Sequence, residues 1–359
     1  MKKPLLLFVS LLLPFVLTAQ IPPGYYNSAA GLSGPALQLA LHNIIDNHTT
    51  VSYNSLWTHF QDTDKKPNGK VWDMYSDVPG GTPPYQYTFV SDQCGNYGGE
   101  GDCYNREHSW PQSWFNSSTV PSSDLFHLYP TDGYVNNMRG NLPYGTVGTV
   151  TWTSQNGSKQ GYCIDPGYSS LVFEPIDEYK GDFARTYFYM STRYHTEDAS
   201  WSASGGTNKS VLLPWEASVL LTWSHMDSVS TKEIDRNNEV YGIQNNRNPF
   251  IDNPAWADSI WSIIISGIEE NAINRPSVNI YPNPSEDAFF ISNAGNLDWN
   301  GNLSITNALG QVIQQSGNVG LKPFDAEPFS VSCSTWDNGV YYISLIGQES
   351  SGTFIFIKL

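Results

Sequence analysis

Apolar and polar positions change their period along this 359-residue chain, and each change marks a different kind of element. Residues 37–45 space Leu37, Leu41, Ile44 and Ile45 three and four apart, as in an amphipathic helix. The same period recurs over residues 182–194 and 209–226. Aromatic residues follow it there, which makes them core side chains rather than a platform for stacking bases. Residues 65–69 and 78–84 are rich in turn formers, so the strands expected around 71–75 and 85–90 are short. Residues 145–161, rich in Thr, Gly and Ser, read as a hairpin or an exposed loop. From Val278 onward the period falls to two: VNIYPNP, AFFISN, LSITNALGQVIQQ, FSVSC, GVYYISLI and GTFIFIKL are separated by Asn, Gly and Asp turns. Such a run predicts a small β-sandwich. The fold class expected is α+β, with a mixed region over residues 20–270, a polar linker over 271–277 and an all-β region over 278–359.

The amino terminus has a pattern of its own. Lys2 and Lys3 precede an apolar run over residues 4–16, and Leu17-Thr18-Ala19 follows, the arrangement of a secretory signal peptide cleaved near Ala19. The run is short against the roughly 20 residues of a membrane span, and no second one follows. An exported protein without a membrane span in its mature form is expected. Four cysteines suit an oxidising destination without making a disulfide scaffold. Cys94 and Cys103 bracket CGNYGGEGDC, where a local bridge would brace the segment that follows, and this is the favoured pairing. Cys163 and Cys333 are either free or exchange with a member of that pair, since four cysteines allow three connectivities.

The formal net charge is −16. Two lysines lie in the leader, and three basic and seven acidic residues lie beyond Glu270. The rest holds 13 basic and 27 acidic residues. This balance speaks against generic electrostatic capture of a polyanion, and a phosphate-bearing substrate can instead be held by a cation with a few local arginines.

One stretch carries such groups. NREHSWPQSWF, residues 105–115, is followed by DLFHLYPTDGYVNNMRGN, residues 124–141. Glu107 and His108 are neighbours, so on a strand they point to opposite sides and reach one phosphate only where the strand ends. Thr131 or Asp132 can cap a short helix over residues 134–138, on which Asn136 and Arg139 share a face. A carboxylate and an amide carbonyl are oxygen ligands suited to a hard cation such as magnesium. His108 is then free to act as a base near neutral pH. This chemistry is metal-assisted phosphodiester hydrolysis.

Both strings resemble the signature of the bacterial endonuclease I family, exported nucleases of the His-Me finger (ββα-metal) type. FEPIDEYKGDFARTYFYMSTRY, residues 173–194, and NNRNPFID, residues 245–252, resemble further family segments in family order, with residues 212–243 as the connecting helices. The resemblance implies that His108 activates the attacking water, that Glu107 and Asn136 hold one Mg2+, Mn2+ or Ca2+ ion, and that the products carry 5′-phosphate and 3′-hydroxyl ends. Arg139 matches a family arginine and is carried over as a second catalytic residue, contacting either the phosphate or a nearby carboxylate. Some members add an arginine between the histidine strand and the helix, but residues 109–132 contain neither Arg nor Lys. Arg106, Arg185 and Arg247 are the candidates to meet phosphate charge instead. His127 is expected to pack beside the finger. His42, His48, His59, His195 and His225 show no partner at metal spacing, so no zinc site is expected.

Within the tail, Tyr281-Pro282-Asn283-Pro284, the NALGQ string at 307–311 and the GVYY string at 339–342 resemble the C-terminal sorting domain of the type IX secretion system of Bacteroidetes. That likeness implies the type IX machinery as a partner, followed by cleavage or surface attachment. The expected function is a secreted, metal-dependent endonuclease of low sequence specificity, acting on DNA with RNA as a second substrate. The alternatives are a surface binding protein on an inactive nuclease fold and a phosphodiesterase for small substrates.

Overall fold

A computed structural model describes residues 21–266, 276–295, 298–307, 311–323, 328–347 and 350–359. The leader and most of the expected linker lie outside them. Two compact units divide the chain, one ending at Ser266 and one beginning at Gly267.

The first unit is built around a helix that solvent does not reach. Helices α1 (Gly34–Ile45) and α2 (Leu56–Thr63) lead into strand β1 (Tyr104–His108), strand β2 (Leu128–Asp132) and helix α3 (Gly133–Arg139). A three-stranded antiparallel sheet follows, β3 (Val147–Thr153), β4 (Lys159–Cys163) and β5 (Leu171–Glu174), and then α4 (Lys180–Arg193). The short pair β6 (Thr207–Asn208) and β7 (Val211–Leu212) precedes α5 (Pro214–Met226), α6 (Thr231–Gln244), α7 (Pro249–Asp252) and α8 (Ala255–Ser266).

Every residue of α4 is buried. Its apolar side chains, among them Phe183, Tyr187 and Phe188, belong to the main core with Leu37, Leu41 and Ile45 of α1 and Leu220 of α5. Its charged residues must be paired to lie there. Lys180 meets Glu174 at 2.6 Å, Arg193 meets Glu197 at 2.6 Å, and Lys232 of α6 reaches Asp182. Local signals set the ends of the surrounding helices. Pro214 opens α5, a capping box of Ser230 and Glu233 opens α6, and Asn245 closes α6 in the left-handed region.

The second unit is a two-sheet sandwich. Strands β10 (Trp299–Asn307), β11 (Val312–Leu321), β13 (Gly339–Gly347) and β14 (Ser351–Lys358) run in the order β11-β10-β13-β14. Strands β8 (Val278–Tyr281), β9 (Ala288–Asn293) and β12 (Phe329–Ser332) run in the order β12-β9-β8. Phe289, Ile291 and Val331 from the smaller sheet share one core with Leu303, Ile305, Ile343, Leu345 and Phe356 from the larger.

Three expectations change. No strand forms over 71–75 or 85–90; Val71 makes one backbone bond to Tyr87 at 3.0 Å, and Asp73 takes the backbone N–H of Tyr75 with its side chain. Side-chain capture of backbone donors of this kind competes with a ladder. The helix read over 209–226 begins only at Pro214, because the preceding residues form β7 and Lys209 has φ 58°. Helix α2, which the spacing did not reveal, spans little more than two turns.

Candidate active site at the β1–β2–α3 unit

Strands β1 and β2 pair antiparallel from Tyr104 opposite Asp132 to His108 opposite Leu128. Asp132 then caps α3, its side chain accepting from the Val135 N–H at 2.8 Å. The other carboxylate oxygen accepts from Tyr87 at 2.6 Å and from the Gly101 N–H at 2.7 Å, which ties the helix start to the loop closed by a Cys94–Cys103 disulfide. Gly133 donates to the Cys103 carbonyl at 2.9 Å, and a Cβ there would lie 2.7 Å from Tyr97, so only glycine fits under that loop. Cys163 and Cys333 are free and buried.

Alternation on β1 sorts the site's side chains. Asn105 and Glu107 share one face, toward α3, and Arg106 and His108 share the other. Glu107 is 1% exposed, and its Oε1 accepts from Tyr75 at 3.0 Å and from Arg139 at 3.1 Å. Oε2 makes no hydrogen bond among the described residues. Burial raises the Glu107 carboxyl above its ordinary range, and Arg139 and Tyr75 offset that in part. Asn136 donates its amide N–H to Asn105 Oδ1 at 2.8 Å, which leaves the Asn136 carbonyl oxygen unclaimed. One carboxylate oxygen and one amide oxygen are thus held by their partners and otherwise unused. That donor set, on a carboxyl whose burial is incompletely offset, fits a hard divalent cation.

His108 sits at the end of β1. Its Nε2 lies 3.1 Å from the Ser122 carbonyl, and a carbonyl only accepts, so Nε2 carries the proton and Nδ1 keeps a lone pair. The Gln112 amide also reaches Nε2 at 3.2 Å, where its oxygen serves once the amide is turned. Burial first, and His127 5.5 Å away second, lower the ring's pKa to about 3, so the neutral base form prevails across the physiological range. His127 packs beside the finger as expected, its Nε2 on the Pro121 carbonyl at 2.6 Å.

The remaining residues singled out by sequence divide sharply. Arg139 is fully buried and joins the end of β1 to α3 by donating to Glu107, to the His108 carbonyl at 2.9 Å, to the Ser109 carbonyl and to Tyr187 at 2.9 Å. Of the two contacts expected of Arg139, a phosphate or a nearby carboxylate, it makes the second, to Glu107. Arg185 and Arg247 are spent on buried pairs, with Glu233 at 2.9 Å and Asp252 at 2.6 Å, rather than presented to phosphate. Only Arg106 of the three stays at the finger, on the His108 face of β1 and partly exposed. Asn105, Tyr75 and Tyr187 were not singled out by sequence; for Asn105 the signal was present, two residues before Glu107 on one strand face.

His42 has partners that its sequence neighbourhood did not reveal. One ligand atom from each of His42, Asp46 and Glu197 lies within 4.8 Å of the others. Arg193 already pairs with both carboxylates, at 3.1 and 2.6 Å, so the cluster is closed as an ion-pair network.

The chain is similar to known proteins over both of its units. The Endonuclease I family matches residues 33–255, and the secretion system C-terminal sorting domain matches residues 279–358. An extracellular ribonuclease of Bacillus amyloliquefaciens is 39% identical over 248 residues, covering 66% of this chain and 78% of that protein. One from Bacillus subtilis is 37% identical with the same coverage. Endonuclease-1 of Buchnera aphidicola subsp. Baizongia pistaciae is 26% identical over 198 residues, 55% of this chain and 67% of its own length. No helix among the described residues is long and apolar enough to cross a membrane. The chain belongs to the Endonuclease I family, and with its sorting domain it is a secreted or cell-surface nuclease.

Proposed function

We propose that this nuclease is a divalent-metal-dependent endonuclease that hydrolyses DNA and RNA with low sequence specificity, leaving 5′-phosphate and 3′-hydroxyl ends. The observation that carries the reading is the His108 ring, whose Nε2 proton is held on the Ser122 carbonyl while Nδ1 stays free. In this reading Nδ1 takes the proton from the attacking water. The fixed Nε2–H bond keeps the ring in the right tautomer and orientation throughout. Glu107 and Asn136 would hold the cation, which when bound neutralises charge on the scissile phosphate. Arg139 keeps Glu107 in place and fixes the backbone that follows it. Arg106 is the arginine available to a phosphate oxygen. The relatives' names support a nuclease, two being extracellular ribonucleases and one an Endonuclease-1. The tail at 278–359 would pass the protein to the type IX machinery.

The test is cleavage of supercoiled plasmid and of a long RNA by the full-length protein with magnesium, with manganese and with chelator, followed by analysis of the ends. Cleavage of both that chelator abolishes, with ends that ligate directly, is expected. Metal-independent cleavage, or 3′-phosphate ends, would overturn the assignment of Glu107 and Asn136.

A further inference from the structure

The two proposed cation ligands sit on different elements, Glu107 on β1 and Asn136 on α3. A hard cation such as magnesium takes its oxygen ligands only within a narrow geometry, so the distance between those elements must be fixed. The β1–β2 ladder and Arg139 supply one tie. A second tie lies outside the finger, in the turn that starts at Asp73.

Asp73 is 1% exposed, and both of its carboxylate oxygens are used. Oδ1 accepts from the Tyr75 N–H at 2.8 Å, and the Tyr75 hydroxyl in turn donates to Glu107 Oε1 at 3.0 Å. Oδ2 accepts from the Asp132 N–H at 3.0 Å, across 59 residues of chain, and Asp132 is the cap of the helix that carries Asn136. One carboxylate thus starts two branches, and one branch leads to each proposed ligand. Turn formation accounts for the bond to Tyr75 but not for the bond to Asp132. Holding a carboxylate there is also costly. Burial first, and the Asp132 charge second, push the Asp73 carboxyl up to about 7. An amide would avoid that charge, but it has one acceptor oxygen where two backbone donors are to be met.

Resting on the reading of Glu107 and Asn136 as cation ligands, we infer that Asp73 is a positioning residue of the nuclease site, setting the spacing of the two ligands by holding Tyr75 and the head of α3 at once. Its effect passes through Tyr75 and Asp132. Loss of such an outer support weakens metal affinity more than it alters the chemistry of the loaded site.

The test is calorimetric titration of the full-length protein with Mn2+, without substrate and at pH 8, where the Asp73 carboxyl is ionised. Wild type is compared with Asp73→Asn, Tyr75→Phe, Glu107→Ala and Ile45→Val, the last a truncation at a buried core residue outside both branches. Plasmid cleavage at rising Mn2+ then separates metal dependence from the rate at saturation. Asp73→Asn keeps the side chain's shape and removes the repulsion from Asp132, so a folded protein is expected. Its Mn2+ affinity should fall about tenfold, with most of the cleavage rate restored at saturating Mn2+. Tyr75→Phe, which leaves Asp73 whole and cuts one branch at its next link, should weaken Mn2+ binding in the same direction, and Ile45→Val should not. Wild-type affinity in folded Asp73→Asn or in Tyr75→Phe, or an equal loss in Ile45→Val, overturns the positioning role and leaves the cation reading intact as long as Glu107→Ala has lost binding. A wild-type protein that binds no Mn2+, or Glu107→Ala that binds it as wild type does, overturns the cation reading and this inference with it.

Discussion

Both units bury an apolar core, and the nuclease unit adds a set of buried arginines to it. In the nuclease unit Arg139, Arg185, Arg236 and Arg247 lie almost wholly out of solvent, paired with Glu107, Glu233, Asp64 and Asp252. In the sandwich the interior is Phe289, Ile291, Leu303, Ile305, Ile343, Leu345 and Phe356, and the buried polar residues described there are Ser285, Asn293 and Lys358. Apolar burial is non-directional and stabilises whatever packs well. An arginine fork, by contrast, is satisfied only when carbonyls and carboxylates stand at fixed directions around it. A buried ion pair adds little net stability but makes the removal of one partner costly. The nuclease unit thus gives up easy stability for a defined geometry at the end of β1, and the sandwich does not need to.

Removing a fork should therefore disturb both fold and chemistry. Arg139→Met leaves Glu107 buried without its counter-charge, and a loss of about 3–5 kcal/mol in the nuclease unit's unfolding is expected by denaturant titration. Among molecules still folded, cleavage should fall about a hundredfold through misplacement of Glu107 and His108. Arg139→Lys, which keeps charge without the fork, should recover part of the stability and little of the rate. Full activity in folded Arg139→Met would show that the fork does not position the site.

An apolar truncation should behave differently. Ile343→Ala, at a fully buried position of β13, is expected to cost about 2–5 kcal/mol in the sandwich's transition and to leave cleavage unchanged. A matched loss in the nuclease unit's transition would contradict the separation of the two cores.

Acid offers a gentler probe of the polar interior. Asp124 is fully buried among donors from Tyr189, Tyr194, Gln244 and the Phe126 N–H. Burial alone would raise its carboxyl, but His48, His127, the Gln244 amide and the Phe126 N–H lower it to about 2. A carboxyl depressed on folding contributes above its ordinary pKa, and that contribution is lost as pH falls from about 4 through about 2. About 2 kcal/mol should disappear in that window, and Asp124→Asn should remove this part of the acid dependence. An unchanged acid profile in the variant would place the sensitivity elsewhere.

The same contrast explains what could be read from residues alone. The tail alternates with period two, and both sheets follow from it. Asp132 as a cap, the shared face of Asn136 and Arg139 and the Cys94–Cys103 bridge were legible because each depends on near neighbours. The destinations of Arg185 and Arg247 were not, since each partner is chosen by packing of separate helices or by a turn. The Arg139 contact with a nearby carboxylate was among the alternatives legible in the sequence, but its acceptor Tyr187, 48 residues away, was not. Tyr53 gave no signal, because its contact with Arg106 spans 53 residues. The histidine's free nitrogen was equally hidden, being decided by a carbonyl 14 residues downstream.

That His108 is the base of the β1–β2–α3 site is tested most directly by the rate of plasmid cleavage by His108→Ala, measured against wild type with magnesium present and folding checked by circular dichroism. A folded protein slowed by about 10² to 10⁴-fold is expected. A folded His108→Ala protein that cleaves at the wild-type rate would contradict it.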